Sequence, residues 1–205
     1  MIIFDDIPID LTKMTCHTGG AIGADSVFEE LCTKYDVVVK SYSYKTSFHN
    51  SINKVEISDA EYIEGVEQIN KANRYLGRFG ISKYMNLLAR NWAQVKYSTQ
   101  IFAIGHIVDH GKKSIDGYYS KAKYQSVSGG TGYAVQMGIN NNKEVFVYDL
   151  SLLSWYRWSY SSMSFIKIDD IVKIGSENFA GIGTRKITTD GIKAINDLFD
   201  NTFKK

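Results

Sequence analysis

Three times in this chain a short apolar run breaks at a cluster of glycines and gives way to a stretch of helical periodicity. The clusters are His17-Thr18-Gly19-Gly20-Ala21-Ile22-Gly23-Ala24-Asp25, Ser128-Gly129-Gly130-Thr131-Gly132 and Ala180-Gly181-Ile182-Gly183-Thr184-Arg185. A strand–glycine turn–helix junction leaves backbone N–H groups bare at the positive end of a helix, the arrangement that receives phosphate. A single junction of this kind is equally well explained by a turn that needs φ > 0. Three in one chain point instead to strand ends converging on one nucleotide-shaped crevice.

The apolar runs at 13–16, 36–40, 100–104, 144–148 and 178–182 are continuous rather than alternating. That pattern belongs to parallel strands covered on both faces. Helical patterns lie between them. Ala24, Phe28, Leu31 and Cys32 share a face; Ser58-Asp59-Ala60-Glu61 has capping-box spacing and opens a helix toward Tyr75. Residues 82–97 read as a helix with Tyr84, Leu88 and Val95 inward and Arg90 and Gln94 on other sides. Residues 133–140 form a short helix, and Ile192, Ile195, Phe199 and Phe203 stripe a last one entered through Thr188 or Thr189. The alternation predicts an α/β fold, a Rossmann-like parallel sheet flanked by helices, with ligands beyond the C-terminal strand ends. A length of 205 residues suits one domain over 1–205.

Two segments stand outside that alternation. Residues 106–127 make a polar loop with Lys112, Lys113, Lys121 and Lys123, expected either as a solvated loop or as a lid over an anion. Residues 151–170 read as an aromatic β-hairpin around Ser161-Ser162, expected as an edge ribbon against the domain or a second subunit, with base stacking as the alternative.

Composition narrows the function classes. A formal charge of +2 gives no electrostatic case for nucleic acid, and no apolar run approaches the ~20 residues that span a bilayer. The first ten residues carry Asp5, Asp6 and Asp10 and no basic residue, unlike a secretory signal. Cys16 and Cys32 lack CxxC or metal spacing and read as reduced, half-buried thiols of a cytoplasmic protein. His49, His106 and His110 have no metal-site spacing, so neither metal nor cofactor is expected. His106 follows Gly105 and is a candidate for lining the crevice. His17 either touches the ligand or is satisfied by backbone, and Trp92 reads as core.

Thr18-Gly19-Gly20-Ala21-Ile22-Gly23-Ala24-Asp25 resembles the SGGARGAD-type turn of the SLOG superfamily, which includes lonely-guy phosphoribohydrolases, DNA-processing protein A and nucleotide-sensing domains. Ala180-Gly181-Ile182-Gly183-Thr184-Arg185 resembles the GSR turn of such domains. Arg90-Asn91 with Ser98-Thr99-Gln100-Ile101-Phe102-Ala103-Ile104-Gly105 is similar to the lonely-guy enzymes, and residues 128–136 stand where those enzymes carry PGGxGTxxE. The GSR-like turn comes last here rather than first. A circular permutation accounts for that order and predicts the 178–182 strand beside the 13–16 strand, with Gly183 next to Gly19.

The resemblance implies a ligand site built from Thr18, Gly19, Gly20, Ala21, Asp25, Arg90, Gly105, Gly129, Gly130, Thr131, Gly132, Gln136, Gly183, Thr184 and Arg185. For Arg185 a salt bridge to the last helix is the alternative. The family's catalytic glutamate is Gln136 here, and an amide neither takes a proton nor supplies charge at neutral pH. The implied function is therefore binding of an ADP-ribose-like or cyclic nucleotide signal without cleavage. Phage-encoded look-alikes add the expectation of sequestering a defence signal in the host cytoplasm, and relatives of this fold imply a homo-oligomer. The alternative is N-glycosidic hydrolysis of nucleoside monophosphates, with Asp25 or Glu29 as the carboxylate and Arg90 beside it. DNA handling finds no basic stripe in its support.

Overall fold

The buried apolar runs pair into one sheet, seen here in a computed structural model that describes residues 10–47, 49 and 51–204. The strands are β1 (Thr15–Thr18), β2 (Val38–Ser43), β3 (Lys54–Glu56), β4 (Gln100–Gly105), β7 (Glu144–Asp149), β8 (Ser154–Ser159), β9 (Ser164–Lys167) and β10 (Asn178–Gly183). β5 (Ile107–Val108) and β6 (Ser126–Val127) form a separate antiparallel pair. The helices are α1 (Ala24–Lys34), α2 (Asp59–Leu76), α3 (Met85–Lys96), α4 (Thr131–Asn140) and α5 (Thr189–Phe203). The fold is α/β and Rossmann-like.

The sheet order is β3-β2-β1-β10-β4-β7-β8-β9, parallel from β3 to β7 and antiparallel beyond. Alternation within β4 divides the core in two. Phe102 and Ile104 pack with Phe28 of α1 and Phe199 of α5, whereas Ile101 and Ala103 pack with residues of α2, α3 and α4. From β1 the chain crosses through α1 to β2 on one side; from β4 it crosses through α4 to β7 on the other. The topological switch point, where ligands sit in open α/β sheets, thus falls between β1 and β4. β10 fills that position, with Thr15 opposite Asn178 on one flank and Ala180 opposite Ile101 on the other. The adjacency expected of the 178–182 and 13–16 runs is therefore present.

Local chemistry moves several boundaries. β1 begins two residues late because the Asp10 side chain caps a 3-10 turn over Leu11–Lys13. β2 begins late because Asp36 holds a left-handed φ of 57° in the turn that precedes it. The hairpin continues the main sheet, with Trp158 and Phe165 buried in its core, as an edge ribbon on the domain would. The 106–127 loop is tied down by β5 and β6 and by a bridge between Lys113 and Tyr119.

The helix read over 82–97 needs correction. α3 starts at Met85 after a 3-10 turn, Tyr84 is 50% exposed rather than inward, and Arg90 and Gln94 are buried. The helix lies between α2, α4 and the strands, so the stretch from Leu88 to Val95 is buried on every side. Cys16 and Cys32 are fully buried rather than half-buried. No helix among the described residues is long and apolar enough to cross a membrane.

Gly65 sets how closely α2 and α3 approach, since a Cβ there would lie 2.9 Å from both Cα and carbonyl carbon of Ala89. Backbone cannot step aside as a flexible side chain can. Gly65→Ala should thus cost roughly 1–3 kcal/mol from overpacking, beyond the ~1 kcal/mol gained in helix propensity, as read by urea denaturation.

Candidate functional site

Parallel pairing brings the C-terminal ends of β1, β10 and β4 to one edge of the sheet; β1 and β10 each feed a glycine turn, and β4 feeds the 106–127 loop that leads into the second turn. A cavity of about 390 Å³ lies there. The first turn contributes Ala21 and Asp25 to its wall, the second Ser128, Gly129, Gly130 and Thr131, and the third Ile182, Gly183, Thr184 and Arg185. Arg90 of α3, Gly105 at the end of β4, Asp116 of the 106–127 loop and Lys186 also line it. The three junctions do meet.

A buried carboxyl fastens two of them. Asp25 accepts the N–H of Gly183 at 3.1 Å and that of Ala21, while the Ala24 N–H donates to the Thr184 carbonyl at 3.1 Å. Gly23 packs so tightly that a Cβ there would stand 2.5 Å from the Thr184 oxygen. Burial pushes the Asp25 carboxyl up to about 6, against the pull of the Arg90 guanidinium 4.0 Å away and of its two N–H donors.

Arg90 is only 5% exposed. Its Nη1 donates to Gln94 Oε1 at 2.8 Å, and the guanidinium occupies the space where a Cβ of Gly19 would fall. Nε and Nη2 have no hydrogen-bond acceptor among the described residues, in a side chain that lines the cavity. This arginine cannot shed its proton, so its charge stays in the wall.

The second turn is held open by Arg78, a residue that no local sequence pattern singles out. Its Nη1 donates to the Gly129 carbonyl and its Nη2 to the Val127 carbonyl, each at 2.6 Å, and Nε donates to the Tyr118 hydroxyl at 3.0 Å. The guanidinium carbon lies 4.6 Å from the Tyr118 ring centre and 5.2 Å from that of Tyr133. Ser128 Oγ donates to Asp116 at 2.8 Å, which ties the 106–127 loop to the turn. With carbonyls taken by Arg78 and Gly129 at a left-handed φ of 63°, the amides of Gly129, Gly130 and Thr131 have no acceptor among the described residues. They form the N-terminus of α4 at the cavity wall.

The other candidates are distributed unevenly. Gly19 and Gly20 line an adjoining lobe with Ser43, Tyr44 and His49. Thr18 is fully buried at the end of β1, its hydroxyl without a partner among the described residues. Gly132 packs on the Val127 carbonyl and gives its N–H to Ser128, so it shapes the turn without lining the cavity. Gln136 Nε2 bonds Asn140 one turn along α4 and lines none of these spaces. Glu29 is held by Ser41 and Ser51 at 2.7 and 2.6 Å, also outside the central cavity.

Gly183 is not beside Gly19. Its absent Cβ would meet Ala24 and Ile104, because the pairing of His17 with Ala180 leaves the two glycines out of step. Arg185 is exposed and makes no ion pair with α5 among the described residues. His106 bonds Ser151 and His110 bonds the Ala122 carbonyl; neither lines the cavity. His17 is satisfied by the Tyr42 hydroxyl and the Asn178 side chain, not by backbone, and its ring forms a triangle with those of Tyr42 and Tyr97, centres 5.8 to 6.1 Å apart. Burial pulls it down to about 4.

Comparison with known protein families, with curated proteins and with solved structures gives no match to this chain.

Two buried groups bend the stability curve in opposite directions. His17 must charge to titrate, so its contribution is present above 6.5 and lost as pH falls toward about 4. Asp25 is better tolerated neutral, so its contribution is present below 3.8 and lost as pH rises through about 6. Denaturation measured from pH 4 to 7.5 should show the parent protein losing ground to His17→Gln toward acid and to Asp25→Asn toward neutrality. Each swing is about 3 kcal/mol at most.

Proposed function

We propose that this crevice captures a nucleotide-derived small molecule by its phosphates. One observation carries the reading: the amides of Gly129, Gly130 and Thr131 and the Nε and Nη2 of Arg90, none with an acceptor among the described residues, share one cavity. Bare amides at a helix N-terminus attract an anion, and a guanidinium offers charge-assisted bonds worth ~1.5–3 kcal/mol each. Arg185, exposed at the same wall, adds a second cation. The three turns resemble those of the SLOG superfamily in a permuted order, which agrees with a nucleotide ligand. An ADP-ribose-like or cyclic nucleotide signal fits that chemistry, and capture of such a signal on behalf of a phage is the biological role we propose, exercised by a homo-oligomer in the host cytoplasm.

Capture without cleavage follows from the carboxylates. Gln136 offers no acid, Glu29 is engaged by two serine hydroxyls outside the central cavity, and Asp116, which does line it, is engaged by the hydroxyls of Ser114 and Ser128. A hydrolytic reading has one observation in its favour: Asp25 lines the cavity with a carboxyl pushed up to about 6, where it can exchange a proton near neutrality.

Calorimetry with ADP-ribose and cyclic nucleotides, followed by chromatography of the recovered ligand, separates the two. Binding with the ligand returned unmodified is expected. Free base in the eluate, lost in Asp25→Asn, assigns the protein to hydrolysis instead. Arg90→Gln should weaken phosphate binding at least tenfold, or about 1.4 kcal/mol. Ionised Asp25 also opposes an anion, so affinity for a diphosphate should fall as pH rises from 5 to 7, and Asp25→Asn should remove that slope.

A further inference from the structure

The central cavity opens on two sides into lobes of unlike chemistry, and Leu87 and Arg185 line all three spaces. One lobe, about 740 Å³, lies over the second turn and is walled by the rings of Phe79, Tyr84 and Tyr119. Phe79 is 86% exposed, Tyr84 50% and Tyr119 53%, so these rings do little for the hydrophobic core. Solvated rings gathered at one mouth mark a surface made to be covered. Their floor is the Arg78 guanidinium between Tyr118 and Tyr133.

The opposite lobe, about 290 Å³, lies beyond the ends of β1 and β2 and is the more polar of the two. Tyr44 and His49 face it beside Gly19 and Gly20. His49 Nε2 donates to the Tyr42 carbonyl at 3.2 Å, which leaves Nδ1 as an acceptor, buried and without a partner among the described residues. What the lobe itself offers is about 290 Å³ lined by Ser43, Tyr44, Thr46 and His49, room for a sugar rather than for a base with its sugar.

We propose that the ligand is extended and asymmetric. A heteroaromatic base stacks in the lobe of Phe79, Tyr84 and Tyr119. A diphosphate crosses the amides of the second turn between Arg90 and Arg185, and a base-free sugar fills the lobe lined by Tyr44 and His49. That is the ADP-ribose class, not a cyclic mononucleotide. A cyclic mononucleotide joins base, sugar and phosphate within one nucleotide and reaches only one lobe. The proposal rests on the central cavity being the phosphate site.

Calorimetry on the full chain with ADP-ribose, AMP, 3′,5′-cyclic AMP and ribose 5-phosphate tests both layers. ADP-ribose should bind at least tenfold tighter than each of the others. Phe79→Ala and Tyr84→Ala, at exposed rings that leave the core untouched, should each weaken ADP-ribose and AMP several-fold and leave ribose 5-phosphate unchanged. His49→Ala should weaken ADP-ribose and ribose 5-phosphate and leave AMP unchanged. If AMP or cyclic AMP binds as tightly as ADP-ribose in an Arg90-dependent manner, the extended ligand is wrong and the phosphate site stands. The extended ligand is equally wrong if ADP-ribose ignores all three lobe substitutions. If none of the four ligands shows Arg90-dependent binding, both the phosphate site and the extended ligand are wrong.

Discussion

The Asp25 carboxyl is the knot of this structure. It sits at the start of α1, yet its acceptor oxygens serve amides of two different glycine turns, and Arg90 approaches from a third element. A carboxyl buried this deeply is costly in its charged form, and one cation at 4.0 Å does not offset that cost, which is why its proton is held so tightly. The strand ends it joins come from residues near 20 and near 183. The crevice therefore depends on a polar contact that spans most of the chain.

Around that knot the site is arranged in advance of any ligand. Arg78 takes the carbonyls of the second turn, so the amides of the same turn face outward without competition from their own backbone. Gly19 leaves room for the Arg90 guanidinium to lie flat against β1's exit. Groups fixed in this way lose little freedom when an anion arrives. The bare amides and Arg90 lie at the centre, with the exposed rings on one side and Tyr44 and His49 on the other.

Much of this was legible in the chain. Continuous apolar runs announced the parallel strands, Ser58 and Thr188 announced two helix starts, and the order of the turns announced that the last strand joins the first. What failed to show did so for physical reasons. β3, β5 and β6 are two or three residues long and owe their conformation to neighbours already in place. The amphipathic reading of α3 failed because that helix is enclosed on every side from Leu88 to Val95, so Arg90 and Gln94 lie in the interior with each other as partners. Arg78 carries no local signal, since its partners stand some 40 to 50 residues away along the chain. Gln136 matches the family motif by position along the sequence, yet one turn of helix rotates its amide to Asn140.

The central place of β10 has a consequence for how the molecule comes into being. On the ribosome β1 and β4 are synthesised well before their shared neighbour, and until residues 178–183 emerge each has an unpaired edge where the seam of the sheet will be. Such edges are templates for other chains. Nascent protein in this interval is exposed to mispairing, and closing the seam demands a contact between remote segments, which slows folding. The crevice, whose middle wall is the exit of that same strand, consequently cannot form before residues 178–183 are made.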